Sequence, residues 1–291
     1  MNLPIVCASL LLAFASVPAS AARAQGQPPP ALEFPQASPT CKVEQRVGLT
    51  DVALVYSRPS AKGRKVFGGL VPYDELWRTG ANAATKITFS TDVVVGGEPL
   101  PAGSYSMFTI PGTTTWTVIF NKVPDQSGTS TYDEKQDALR VNVSPAALAN
   151  PVETFRIGID ELRADGATLT LAWEKTLVPI DLKVDVVGAM VPKIQAAMAG
   201  EGKKPYFQAA WFYYENGLDL KQAAKWMEEA NKERPDTVWM VHRHALVLAK
   251  MGDKAGALAK AKQSLALAEK AGGAMGAEYK RLNEQLIATL Q

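Results

Sequence analysis

Between Tyr56 and Asn82 the sequence gathers residues suited to recognition: Arg58, Lys62, Arg64, Lys65 and Arg78 are interspersed with Tyr56, Tyr73 and Trp77, and Thr79 and Asn82 add a hydroxyl and an amide. A guanidinium presents a planar fork of donors that fits a carboxylate or a phosphate, and aromatic faces beside it can stack on a sugar or another planar ligand. Gly63, Gly68, Gly69 and Gly80 open backbone conformations to this stretch that other residues rarely adopt. These features nominate Arg58, Lys62, Arg64, Tyr73, Trp77, Arg78, Thr79 and Asn82 as a ligand-binding set for an anionic or carbohydrate-like molecule. A structural role competes with recognition. In it, Arg58 and Arg78 donate to loop carbonyls or to Asp74 and Glu75, and Trp77 plugs the core.

Catalytic equipment is sparse. The only histidines are His242 and His244 near the C-terminal end, so a histidine-based triad has no base in the preceding region and Cys41 has no partner there. A spacing of two turns the two rings about 200° apart on a helix, which prevents them from sharing one metal ion, and both are expected at a surface or groove. Carboxylates remain: Asp74 and Glu75 beside the basic stretch, and Asp125, Asp133, Glu134 and Asp137 further on. Paired carboxylates can hydrolyse glycosides, which keeps a carboxylate-dependent hydrolase of envelope glycans as an alternative. The acidic segment lacks the ligand spacing and glycine of a familiar calcium loop, and no phosphate- or dinucleotide-binding glycine pattern occurs. The balance favours a binding protein over an enzyme, with no catalytic residue, metal or cofactor assigned.

The elements that must position the basic stretch follow from hydrophobic periodicity. From Lys42 to Val186 apolar residues recur at every second position, as in Ile87, Phe89, Thr91, Val93 and Val95, or Phe155, Ile157 and Ile159, or Leu169, Leu171 and Trp173, or Ile180, Leu182, Val184 and Val186. Gly96-Gly97, Pro101-Ala102-Gly103, Pro111-Gly112 and Asp165-Gly166 supply turns between them. Roughly nine or ten short strands with no helices between them predict an antiparallel sandwich or barrel over 41–187. The basic stretch falls between the second and third strands and does not alternate.

After Val187 the period becomes helical. Tyr214, Leu218, Ala223 and Ala230 reappear 34 residues on as Leu248, Gly252, Ala257 and Ser264, the period of tetratricopeptide repeats. Pro235 separates the two units, Lys280 to Leu290 is expected as a closing helix, and residues 188–291 are predicted to form a tetratricopeptide-like region that contacts a protein partner or joins a structural envelope assembly. Residues 1–24 resemble a secretory signal, with an apolar run from Ile5 to Val17 and Ala22-Arg23-Ala24 as a cleavage site. Five prolines within 25–40 suit an extended tether. A periplasmic or extracellular location follows, without a later membrane span. The net charge is −3 from Gln25 to Met190 and +4 from Val191 to Gln291, far from the basic surplus of a nucleic-acid binder.

The run Ser57-Arg58-Pro59, Gly63-Arg64, Phe67-Gly68-Gly69-Leu70-Val71-Pro72-Tyr73, Trp77-Arg78-Thr79-Gly80-Ala81-Asn82 and Ala84-Thr85, followed by Ala102-Gly103-Ser104-Tyr105-Ser106-Met107-Phe108, resembles the secreted bacterial family known as domain of unknown function 2911. The resemblance extends over roughly Cys41 to Val186. It implies a β-rich exported domain, often followed by helical repeats, and it brings no activity and no catalytic residues.

Overall fold

The computed structural model describes residues 34–291. The expected signal segment and most of the expected tether lie outside the described residues. Ten strands, all paired antiparallel, build the first part. Six of them, β1 (Thr40–Val47), β2 (Thr50–Ser57), β3 (Thr85–Phe89), β6 (Gly103–Ile110), β7 (Trp116–Asn121) and β8 (Asp137–Val143), form one sheet. The other four, β4 (Val93–Val95), β5 (Glu98–Leu100), β9 (Ala146–Arg163) and β10 (Gly166–Val184), form a second. Strand orders are β1-β2-β3-β6-β7-β8 and β5-β4-β10-β9.

The alternation in sequence becomes the division between the faces of each sheet. In β2, Val52, Leu54 and Tyr56 are buried while Asp51 and Val55 are exposed. Ile87, Phe89, Met107 and Phe120 of the first sheet join Phe155, Leu171, Trp173 and Ile180 of the second in one hydrophobic core, each such side chain contributing about 1.5–3 kcal/mol by leaving water. Gly96 and Gly97 have φ of 58° and 92° and make the two-residue turn between β4 and β5, a conformation that favours glycine. A smaller cluster of Ala84, Phe108 and Ile119 lies apart from this core, covered by Leu76 and Tyr132.

The segments around Leu169–Trp173 and Ile180–Val184 are not separate short strands but halves of the 19-residue β10. No turn-forming pair divides them. Instead, irregularities between Ala172 and Thr176, with Glu174 at φ 48°, re-aim the strand without ending it. Val186 is also not a strand residue. It opens the first helix, where the Asp185 carboxylate accepts the Gly188 N–H at 2.7 Å.

Six helices follow: α1 (Val186–Ala199), α2 (Tyr206–Glu215), α3 (Leu220–Glu233), α4 (Val238–Met251), α5 (Lys254–Ala271) and α6 (Gly273–Leu290). From α2 onward each helix packs on the next. Small residues allow the approach, since Ala223 and Ala257 are both fully buried. The expected closing helix starts earlier than Lys280, because the chain reverses at Gly272, φ 63°. Among the described residues no helix is long and apolar enough to cross a membrane.

The two histidines are interior residues rather than surface or groove residues. The Nδ1 of His242 lies 2.8 Å from Asn283 Oδ1, and Asn283 donates to Ser264 Oγ at 2.9 Å. The Nδ1 of His244 lies 2.7 Å from Asn231 Nδ2, on a different helix. Burial, reinforced by Lys260 and opposed by Glu228, lowers the His244 pKa to about 4. The ring is therefore neutral at pH 7, and Glu228 pairs instead with Lys260 at 3.2 Å.

Candidate functional site

The connection from β2 to β3, residues 58–84, is stitched to three strands. Near its start, Ala61 N–H donates to Glu153 O at 2.8 Å and Phe155 N–H donates to Pro59 O at 2.9 Å, which lays the chain along β9. Near its end, Trp77 and Thr109 of β6 exchange both backbone hydrogen bonds, at 2.8 and 2.9 Å. Between these anchors, Phe67 and Trp77 enter the main core. Phe67 meets Trp116 edge to face at 4.9 Å, and Trp77 stacks on Trp173 at 5.9 Å. Two further carboxylates hold loop N–H groups: Lys62 N donates to Glu153 Oε1 at 2.7 Å and Val66 N to Glu174 Oε2 at 3.0 Å. These bonds anchor the connection at several points, although it forms no continuous ladder of its own.

Four of the nominated residues meet. Arg64, Trp77, Arg78 and Asn82 line one cavity of about 320 Å³, together with Leu70 and Trp173. Arg64 donates to Ala61 O at 2.9 Å and Ser60 O at 2.8 Å, and Arg78 donates to Asn82 O at 2.9 Å. Among the described residues neither guanidinium forms an ion pair. A guanidinium has five N–H donors, so these bonds orient the two forks while leaving donors and full charge for an incoming anion.

The other four lie elsewhere. Arg58 donates to Phe155 O at 2.9 Å and Lys62 is exposed beside Glu153. Tyr73 lines a different cavity with Phe67 and Trp116. Thr79 is fully buried and presents no surface to a ligand. Its φ is 54°, and the conformation is held by contact of its hydroxyl with that of Thr109 at 3.1 Å and by the Thr85 hydroxyl donating to its carbonyl at 2.6 Å. The structural role expected for the arginines is served by carbonyls alone, since neither Asp74 nor Glu75 pairs with Arg58 or Arg78 and neither lines the Arg64–Arg78 cavity.

The acidic segment before β8 is engaged with its own surroundings. Asp137 accepts from Tyr132 Oη and Arg140 Nε, both at 2.7 Å, and from Asn121 at 2.8 Å. Burial and the Asp137 carboxylate push the Tyr132 pKa up to about 12. Asp133 caps the 3-10 turn Glu134–Gln136, and Asp125 pairs with Lys86 at 3.0 Å. Among the described residues no three His, Cys, Asp or Glu side chains come together around a point that could hold a metal ion.

A family profile described as a protein of unknown function (DUF2911) matches residues 38–182. The chain belongs to the DUF2911 family. No curated protein and no solved structure matches it. Every residue lining the Arg64–Arg78 cavity falls within the DUF2911 span, from Ser38 before β1 to Trp173 in β10, whereas the six helices lie beyond it. Sequence reasoning missed Ser38, Leu70 and Trp173. Leu70 stands 44% exposed at the cavity in spite of its size, and its place after Gly68-Gly69 in the basic stretch was a readable signal. Ser38 and Trp173 arrive through the tertiary packing of the two sheets, which no local pattern announces.

Proposed function

We propose that this DUF2911 protein is a non-enzymatic binding protein, exported to the periplasm or cell exterior, whose loop cavity takes an anionic or glycan-like ligand. One observation carries this reading: Arg64 and Arg78, oriented by main-chain carbonyls and free of ion pairs among the described residues, share a cavity with Leu70 and two indoles. Arginine forks match carboxylate or phosphate, and the 44% exposed Leu70 supplies apolar surface beside them for the face of a sugar. An acidic saccharide satisfies both.

The helical region is the partner-binding part in this reading, and it is tetratricopeptide-like. Its support is that α5 begins at Lys254, 34 residues after α3 begins at Leu220, with Asp219 and Asp253 as equivalent caps. The Arg243 guanidinium lies 4.4 Å from the Trp211 ring and 5.5 Å from Phe207, and Lys250 Nζ lies 4.6 Å from the Tyr214 ring. Neither cation pairs with a carboxylate among the described residues, so this face suits an acidic segment of another protein.

Thermal-shift titration of the mature protein against phosphate, citrate, acidic oligosaccharides and peptidoglycan fragments tests the cavity. A ligand that raises Tm in the wild type and not in Arg78→Ala or Arg64→Ala supports recognition. If no class raises Tm and Arg78→Ala only lowers the melting point, the loop is structural. That second reading is favoured by the burial of Trp77 and Thr79.

A further inference from the structure

A cavity of about 550 Å³ lies on the opposite side of the first sheet from the main core. Its floor is a row of directly opposed residues running across strands: Lys42 of β1, Val55 of β2 and Lys86 of β3. Directly opposed residues share one face of a sheet. Val55 is 37% exposed between the two lysines, and Ala84 and Pro124 add apolar wall. Lys86 holds Asp125 at 3.0 Å, with the Asp125 side chain 75% exposed, while Lys42 has no ion-pair partner among the described residues. Gln126 closes one side although only 4% exposed. Its Oε1 has no hydrogen-bond partner among the described residues, a state that costs free energy until a polar group satisfies it.

We propose that this outer-face cavity is a second ligand site, distinct from the Arg64–Arg78 cavity, and that it takes an amphiphilic monoanion, an apolar chain bearing a carboxylate. Two ammonium groups and one carboxylate leave a single positive charge, which matches one anionic group rather than a dianion. Val55, Ala84 and Pro124 require an apolar body beside it. The exposed Lys86–Asp125 pair contributes at most about 1 kcal/mol and yields readily to a competing carboxylate. The volume lies within the range of small-molecule pockets, about 300–1,000 Å³.

Calorimetric titration of the full chain with octanoate, 1-octanol and acetate tests the site. Octanoate is expected to bind saturably at one site, with octanol and acetate at least about tenfold weaker. Lys42→Gln should weaken octanoate about tenfold and leave octanol unchanged, Lys42→Arg should restore it, and Val55→Ser should weaken both long-chain probes. Arg78→Ala, which lies in the other cavity, should leave octanoate binding intact. Lys42 and Val55 are exposed, so their variants are expected to fold, and circular-dichroism melts identify any that do not. Absence of saturable octanoate binding to the wild type, equal affinity for octanoate and octanol, or indifference to Lys42→Gln overturns the proposal.

Discussion

Trp77 lies over Trp173 with ring centroids 5.9 Å apart and planes inclined by 22°, which ties the β2–β3 connection to a strand of the opposite sheet. Its indole N–H donates to Gly80 O at 3.0 Å, so the ring also fixes the turn that carries Arg78. Replacing Trp77 with alanine is expected to cost about 3–5 kcal/mol of stability. Urea denaturation followed by far-ultraviolet circular dichroism measures this, and loss of the near-ultraviolet signal of the indole cluster should accompany it. A cost below about 1 kcal/mol would mean that the connection is not anchored by this ring.

Thr79 and Thr109 make a buried hydroxyl pair at 3.1 Å. Thr79→Val keeps the branched shape but leaves the partner hydroxyl unpaired, a loss of about 1–3 kcal/mol. The double variant Thr79→Val/Thr109→Val should recover part of that loss. A double-mutant cycle in chemical denaturation tests the coupling, and strictly additive losses would refute it.

His244 gives the helical region an acid sensitivity. Its folded pKa, lowered to about 4 from 6.5, makes the unfolded chain the better proton binder between those values. Stability from this group is complete above pH 6.5 and falls by about 3 kcal/mol as pH drops to 4. Denaturation midpoints measured from pH 7 to pH 4 should show this slope, and His244→Gln should flatten it even though the variant starts from a lower midpoint.

Tyr132 behaves in the opposite range. With its pKa raised to about 12 by burial and by Asp137, the folded protein keeps this phenol protonated while the unfolded chain ionises near pH 10. The associated stability is present below pH 10 and is lost as pH rises toward 12. Absorbance titration at 295 nm should show one fewer late-titrating tyrosine in Tyr132→Phe.

The β architecture was legible because alternation at residues such as Ile87 and Phe89 reports burial directly, and because Gly96-Gly97 admits few backbone conformations. The long excursion between the second and third strands was visible for the complementary reason, since residues 58–84 break the period. Continuity of β10 was not legible: a bulge at Glu174 carries no composition signal comparable to a turn. Thr79 read as a polar loop residue and is fully buried, because its hydroxyl finds Thr109, thirty residues away in sequence. His242 and His244 were misplaced for a similar reason, as Asn283 and Asn231 make their burial affordable and both lie on other helices.

The carbonyl anchoring of Arg64 and Arg78 determines which solution condition can tune the loop cavity. A carboxylate partner would cancel their charge and release it on acidification, whereas a peptide oxygen does neither. Guanidinium groups stay protonated throughout the range in which proteins remain folded. Salt, with a screening length of about 8 Å at 0.15 M, is therefore the variable that weakens the field of these two charges in the cavity.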